Sequence, residues 1–418
     1  MALSVETGQF AANTGSATTT VTTGFQGKAV IFWATSGTAN TTGTAGNAGW
    51  SIGFSDGTSH KAIAWAGDNA VATSNVGCSY RTASALDILT NGTPTSARRI
   101  TGVAFNATPN MVITWDGTPA AAYLVHYMLL GGADITNISI GSSTIPNSTG
   151  DKNIATVGFQ GNFGFFLYNK PGVGDSDGTH TQVSHGYGFA VSGSKEFGTA
   201  FAVDDGATMS ASVDAVGYTD SSNFMSLITA GAETIDVLGS FGTASNPTGW
   251  TSNGFDYNLS NAPAAATGFS WLVIKGGQWD LGTTTYPTSG ATRTITGMAF
   301  QPKGLAFASS SPTADATVTV TNITHFGAAT STSTEAALSL FHNDAINTSV
   351  NRYISNTRNV QALSTAADFT TFNSDGWTIT EASGASAAYQ AGWFAMADNA
   401  VAPTTTGQGW WGAAGNQW

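Results

Sequence analysis

The chain has 418 residues, which sets an expectation of about two to four domains rather than one. Charged residues are only 9% of it, with 13 Lys and Arg against 25 Asp and Glu and a formal charge of −12, so it lacks the basic footprint a phosphate backbone needs and no nucleic-acid partner is expected. With 51 Gly and 11 Pro, and with β-branched and aromatic residues at its apolar positions, it points to strands and turns rather than long helices.

The opening "MALSVETGQFAANTG" has neither a basic start nor a long apolar stretch, so it reads as no Sec signal peptide. Next comes "TTGFQGKAVIFW", Thr22 to Trp33, a Gly-Phe turn feeding an apolar run that suggests a strand buried on both faces. Close variants return as "ATVGFQGNFGFFLY" from Ala155 and "TGMAFQPKGLAFAS" from Thr296. After each opening an alternating strand pair is expected. These pairs read "GWSIGFSDGTSHKAIAWAGD", "GYGFAVSGSKEFGTAFAVDD" and "ALSLFHNDAINTSVNRYISN". A further strand follows ("MVITWDG", "GFDYNLS", "GWTITEA"), then a closing strand ("YLVHYMLLGG", "GFSWLVIKGG", "YQAGWFAMAD"). No apolar run approaches the ~18 residues of a membrane helix, and membrane insertion is not expected. Gly/Thr-rich strands resemble one another, but phrases that keep their order in three copies mark an internal repeat.

The expected fold is therefore all-β, with three tandem antiparallel β-sandwich, jelly-roll-like units: residues 1–132, 133–277 and 278–398, followed by a Gly/Trp-rich tail, 399–418. About eight strands are expected in each. A unit of ~130 residues buries about two-thirds of its surface, enough to fold alone.

The phrases "GFQGKAVIFW", "AFQPKGLAFA", "YMLLGG" and "WLVIKGG" resemble those of structural proteins of marine tailed bacteriophages, whose repeated β units open on GFxPKxxIFW-type stretches. Gly27 stands where that pattern has Pro, the second copy has Gly161 and Asn162, and the third closing strand lacks the double Gly. The resemblance implies a virion component (capsid decoration, fibre or tail), assembled in the host cytoplasm. Its implied partners are itself and other virion proteins, and it implies no catalytic residue.

Motifs that could carry chemistry read mostly as structure. "GFSDG", Gly53–Gly57, fits G-x-S-x-G, but a return strand follows where the nucleophile elbow needs a helix. "GVGDSDGTH" holds Asp175, Asp177 and Gly178 like the start of a calcium loop, yet no Glu follows at the required distance, so a surface turn is the reading. The six histidines, His60, His126, His180, His185, His325 and His342, show no metal-ligand spacing, and His126 reads as an interior or interface residue. Asp204–Asp205 reads as a solvated hairpin end, and five Glu leave few carboxylate pairs for glycoside chemistry. Trp33, Trp65 and Trp115 fall in expected strands and read as core or sheet-face residues. Trp410, Trp411 and Trp418, beyond the third unit, are candidate partner contacts. No enzyme activity, catalytic residue, cofactor or metal is expected. The expected function is a non-enzymatic virion structural protein; the alternative is a carbohydrate-binding attachment protein meeting a host surface glycan.

Overall fold

The structure, a computed structural model, describes residues 2–92, 96–170, 176–179, 182–208, 215–265, 267–288, 290–310, 312–320, 322–344, 350–362, 365–383 and 388–399. All of its regular structure is strand, and every pairing is antiparallel. Three seven-stranded sheets and three smaller ones account for it.

Each unit contributes most of one large sheet and all of one small sheet. In the first, the large sheet runs in space through Leu3–Ala11, Leu124–Gly132, Gly27–Thr35, Ala48–Ser55, His60–Gly67 and Val76–Arg81. The small sheet holds Thr18–Thr22, Asn110–Trp115, Ser96–Asn106 and Leu86–Leu89. The other two units repeat this order, with Trp250–Thr251 as an extra short strand in the second.

The strand Gly27–Thr35 shows why the opening phrase is nearly all apolar. Successive side chains alternate between faces. Val30, Phe32 and Ala34 face the unit's own small sheet, packing with Ile100, Ile113 and Trp115. Ala29, Ile31 and Trp33 face the opposite way, into a core shared by all three units. Both faces are covered, and every residue from Ala29 to Ala34 is apolar and fully buried. The second unit repeats the division, with Phe166 and Tyr168 toward its small sheet and Phe165 and Leu167 toward the shared core.

Aromatic residues cross the unit boundaries in that core. Trp50 stacks on Tyr187 with ring centroids 5.5 Å apart, and Phe163 stacks on Trp279 at 4.2 Å. Trp33 meets Phe326 edge-on at 4.9 Å, and Trp65 lies against His342 at 6.3 Å. Rings of this kind bury ~150–250 Å² each. The units therefore share one core in addition to their own.

The seventh strand of every large sheet comes from another unit. Thr41–Ala45 of the first unit pairs with Val350–Ser355 of the third. Thr317–Val320 of the third pairs with Ala215–Asp220 of the second, and Ser176–Thr179 of the second with Val76–Arg81 of the first. The loans run in a closed cycle: first to third, third to second, second to first. Tandem arrangement alone does not announce this exchange. The first and last described strands also meet, where Leu3 N–H donates to Asp398 Oδ1 at 2.7 Å.

Two expectations are corrected. The third unit's equivalent of the aromatic hairpin is Asn322–Ser331 with Thr334–His342, one strand earlier than "ALSLFHNDAINTSVNRYISN", which spans the following pair. The Ser/Thr turn between those strands carries no Gly, Asn or Asp to mark it. Strands also outnumber the eight expected per unit, with eleven, twelve and eleven among the described residues. The surplus includes short lent strands whose partners lie far away in sequence.

Candidate functional site

Gly53–Gly57 ends one strand and turns into His60–Gly67. Asp56 Oδ1 accepts the N–H groups of Thr58 and Ser59 at 2.8 and 2.6 Å and so builds the turn. Ser55 is fully buried, accepts the Gly57 N–H at 2.9 Å and pairs with His60 Nδ1 at 2.8 Å. Burial lowers the His60 pKa. The serine is a turn residue with no open face for a substrate.

The surface-turn reading of Gly172–His180 is corrected in part. Asp177 and Gly178 lie in the lent strand Ser176–Thr179, opposite Ser79 and Cys78. "SDGT" has little intrinsic strand preference, and pairing with the first unit overrides it. Asp175, His180, Trp410, Trp411 and Trp418 lie outside the described residues.

Asp204–Asp205 is also corrected, from a solvated hairpin end to a junction. Asp205 Oδ1 accepts the Val76 N–H of the first unit at 2.9 Å, and the Asp204 carbonyl accepts the Ser74 hydroxyl. The same contact recurs around the cycle. Asp344 accepts the Ala215 N–H at 3.3 Å, and Asn69 accepts the Val350 N–H at 3.0 Å. Each receiving strand thus has its first N–H capped by the unit that lends to it.

His126, His185, His325 and His342 are fully buried. His126 bonds Gln9 Nε2 at 2.7 Å and stacks on Trp33; His185 stacks on Phe201. His325 Nδ1 pairs with the Tyr286 hydroxyl at 2.9 Å. Burial pushes His126 and His325 down to about 3. Trp33, Trp65 and Trp115 are core residues, as expected.

Buried acids also tie sheets together. Glu196 Oε2 accepts the N–H groups of Phe224 and Phe241 at 2.9 and 2.7 Å, bridging the second unit's two sheets. Glu335 Oε2 accepts that of Phe369 at 2.7 Å in the third. Burial pushes Glu196 up to about 9 and Glu335 up to about 8. In the first unit the buried pair Arg81–Asp87, at 2.7 Å, joins the two sheets, and Ser79 Oγ donates to the same carboxylate oxygen at 2.6 Å. Each of these groups is explained by its structural partners. Among the described residues, no group of three or more His, Cys, Asp or Glu side chains is placed to hold a metal ion.

The open concavity of interest lies elsewhere. A cleft of about 570 Å³ forms where the opening phrase of the first unit meets the first strand of the second. Gln26, Gly27 and Lys28 supply one wall, Asp56–Thr58 another, Val103–Phe105 the floor, and Ile135–Ile138 the far rim. The Phe105 ring is held between two glycines. A Cβ on Gly27 would lie 2.8 Å from it, and one on Gly57 3.4 Å. Gly57 also has φ of +89°, a conformation that favours glycine. Lys28 Nζ donates to the Ile135 carbonyl at 2.7 Å, fixing the rim to the wall. Four separate segments build this cleft, so sequence patterning could not assemble it; the only local signals were the Gly-Phe-Gln-Gly turn and Gly57.

The equivalent positions in the other units differ. In the second, Trp250 packs over Gly161, where an added Cβ would lie 2.5 Å from its ring. In the third, the Lys303–Asp398 ion pair, at 2.7 Å, lies across a smaller cleft of about 340 Å³. No family model matches the chain, and no curated protein matches it.

Proposed function

We propose that this chain is a non-enzymatic structural protein of a bacteriophage virion, serving as capsid decoration, fibre or tail component. The observation that carries the reading is the closed cycle of strand loans around one aromatic core. A single polypeptide thereby supplies a three-unit body that no unit can leave without breaking its neighbours' sheets. Particle components that are placed once and must then endure benefit from such interlocking, because local opening of any one unit is coupled to the rest. The low charge and the Thr, Ser, Asn and Gly surface suit close protein–protein packing with itself and with other virion proteins. The ionisable groups at the buried positions hold sheets together, which fits a structural role.

The test is mass spectrometry of purified particles with the copy number per particle, followed by localisation in the particle density. Hundreds of copies place it on the head; a few to a few dozen place it on the tail or fibre. Its absence from purified particles defeats the reading.

A further inference from the structure

We infer that the cleft between the first unit's opening phrase and the second unit's first strand binds a neutral saccharide. The inference supplies a ligand class that the virion reading leaves open and does not rest on that reading.

A pyranose presents one flat face of C–H groups and a ring of hydroxyls, each able to donate and accept. The cleft has matching parts. Phe105 is half-buried on its floor, with its ring position set by Gly27 and Gly57. Around it stand donors and acceptors still available to a ligand. Asp56 spends Oδ1 on its own turn, which leaves Oδ2 as an acceptor. Gln26 spends Nε2 on the Phe105 carbonyl at 3.1 Å, which leaves Oε1. Lys28 uses one of three ammonium hydrogens on Ile135. Thr58 and Asn137, both exposed, add a hydroxyl and an amide to the lining.

Both signs of charge are present, so the cleft favours neither an anion nor a cation. A sulfated or phosphorylated group would face Asp56, and an ammonium group would face Lys28. A polyhydroxylated neutral ligand satisfies both. The volume falls within the ~300–1,000 Å³ of small-molecule sites. The other units differ at this place: the larger Trp250 ring packs over Gly161 in the second, and the Lys303–Asp398 ion pair lies across a smaller cleft of about 340 Å³ in the third.

The experiment is a screen of the full chain on an array of neutral, sialylated and sulfated glycans. Titration of the strongest neutral glycan in solution, read by saturation-transfer NMR, follows. Binding in the millimolar range or tighter is expected for at least one neutral glycan. Asn137→Ala and Thr58→Ala should each weaken it by about tenfold with unchanged melting temperature, one lost hydrogen bond's worth. Phe105→Ala should abolish it, while Gln160→Ala, on the equivalent turn of the second unit, should have no effect. Absence of neutral-glycan binding, binding confined to acidic glycans, or affinity unchanged in Asn137→Ala each overturns the inference. Particles bearing Asn137→Ala should keep the protein at unchanged copy number, and its selective loss would assign the cleft to assembly and overturn the inference; absence of the unaltered protein from particles would count against the virion reading alone.

Discussion

Asp205 of the second unit accepts the backbone N–H of Val76 of the first at 2.9 Å, and Val76 is fully buried. The carboxylate caps the receiving strand at the edge where its own unit's lent strand pairs. Asp344 with Ala215 and Asn69 with Val350 repeat the arrangement, so one hydrogen bond is written three times to close the cycle.

Asp205→Ala leaves a buried N–H without its acceptor, at a cost of about 1–3 kcal/mol. Urea denaturation should show that loss. Hydrogen exchange should quicken in Val76–Arg81 and in Ser176–Thr179 before it does in Gly27–Thr35. Uniform acceleration across the first unit would contradict the local role of this contact.

The shared core predicts one cooperative unfolding event for all three units. Trp50→Ala removes the partner of Tyr187 and should cost about 3–5 kcal/mol. Calorimetry should show the single transition moving down in temperature without splitting. Two or three resolved transitions in the unaltered chain would mean that the units melt independently.

Arg81 and Asp87 are buried together, with side chains 3% and 0% exposed. Asp87→Ala strands the guanidinium and should destabilise by about 3–5 kcal/mol. Replacing both residues with apolar side chains of similar volume should recover most of that loss, as a double-mutant cycle would show. A double variant no better than Asp87→Ala would mean that the pair does more than neutralise itself.

The pH dependence follows from four buried groups. His126 and His325 fall from 6.5 to about 3 on folding, so the stability they contribute is present above about 6.5 and is lost as pH falls toward 3. Glu196 and Glu335 rise from 4.5 to about 9 and about 8, so theirs is complete below about 4.5 and is lost as pH rises through 8 to 9. The two slopes cancel between about 4.5 and 6.5, which gives these groups a shared stability maximum there. Urea midpoints measured from pH 4 to 10 should decline above about 6.5. The Glu196→Gln, Glu335→Gln double variant should remove most of that decline, and an unchanged alkaline limb would refute the assignment.

The sequence made the elements that bury both faces legible. Gly27–Thr35, Leu124–Gly132 and Thr267–Lys275 are long apolar runs whose type is hard to mistake. The lent strands were not legible, because Ser176–Thr179 reads "SDGT", a turn by every local measure. Its strand character comes entirely from Gly77–Tyr80 across the boundary. The third unit's hairpin slipped by one strand because Asn343 and Asp344 resemble a turn centre more than Ser331–Thr334 do; the Asp344 carboxylate serves the Ala215 junction. The polar pair Asp204–Asp205 was visible as a hairpin end, but the Val76 N–H that Asp205 accepts lies over a hundred residues away. The cleft draws on four segments, and only folding brings Phe105 beside Asn137.

The bond from Leu3 to Asp398 brings the start and finish of the described chain side by side. Peptide connectivity and three-dimensional closure are therefore separable in this molecule. Joining those two residues and opening the backbone at Gly132–Ala133 would yield a circular permutant beginning with the second unit, and every strand could keep its neighbours.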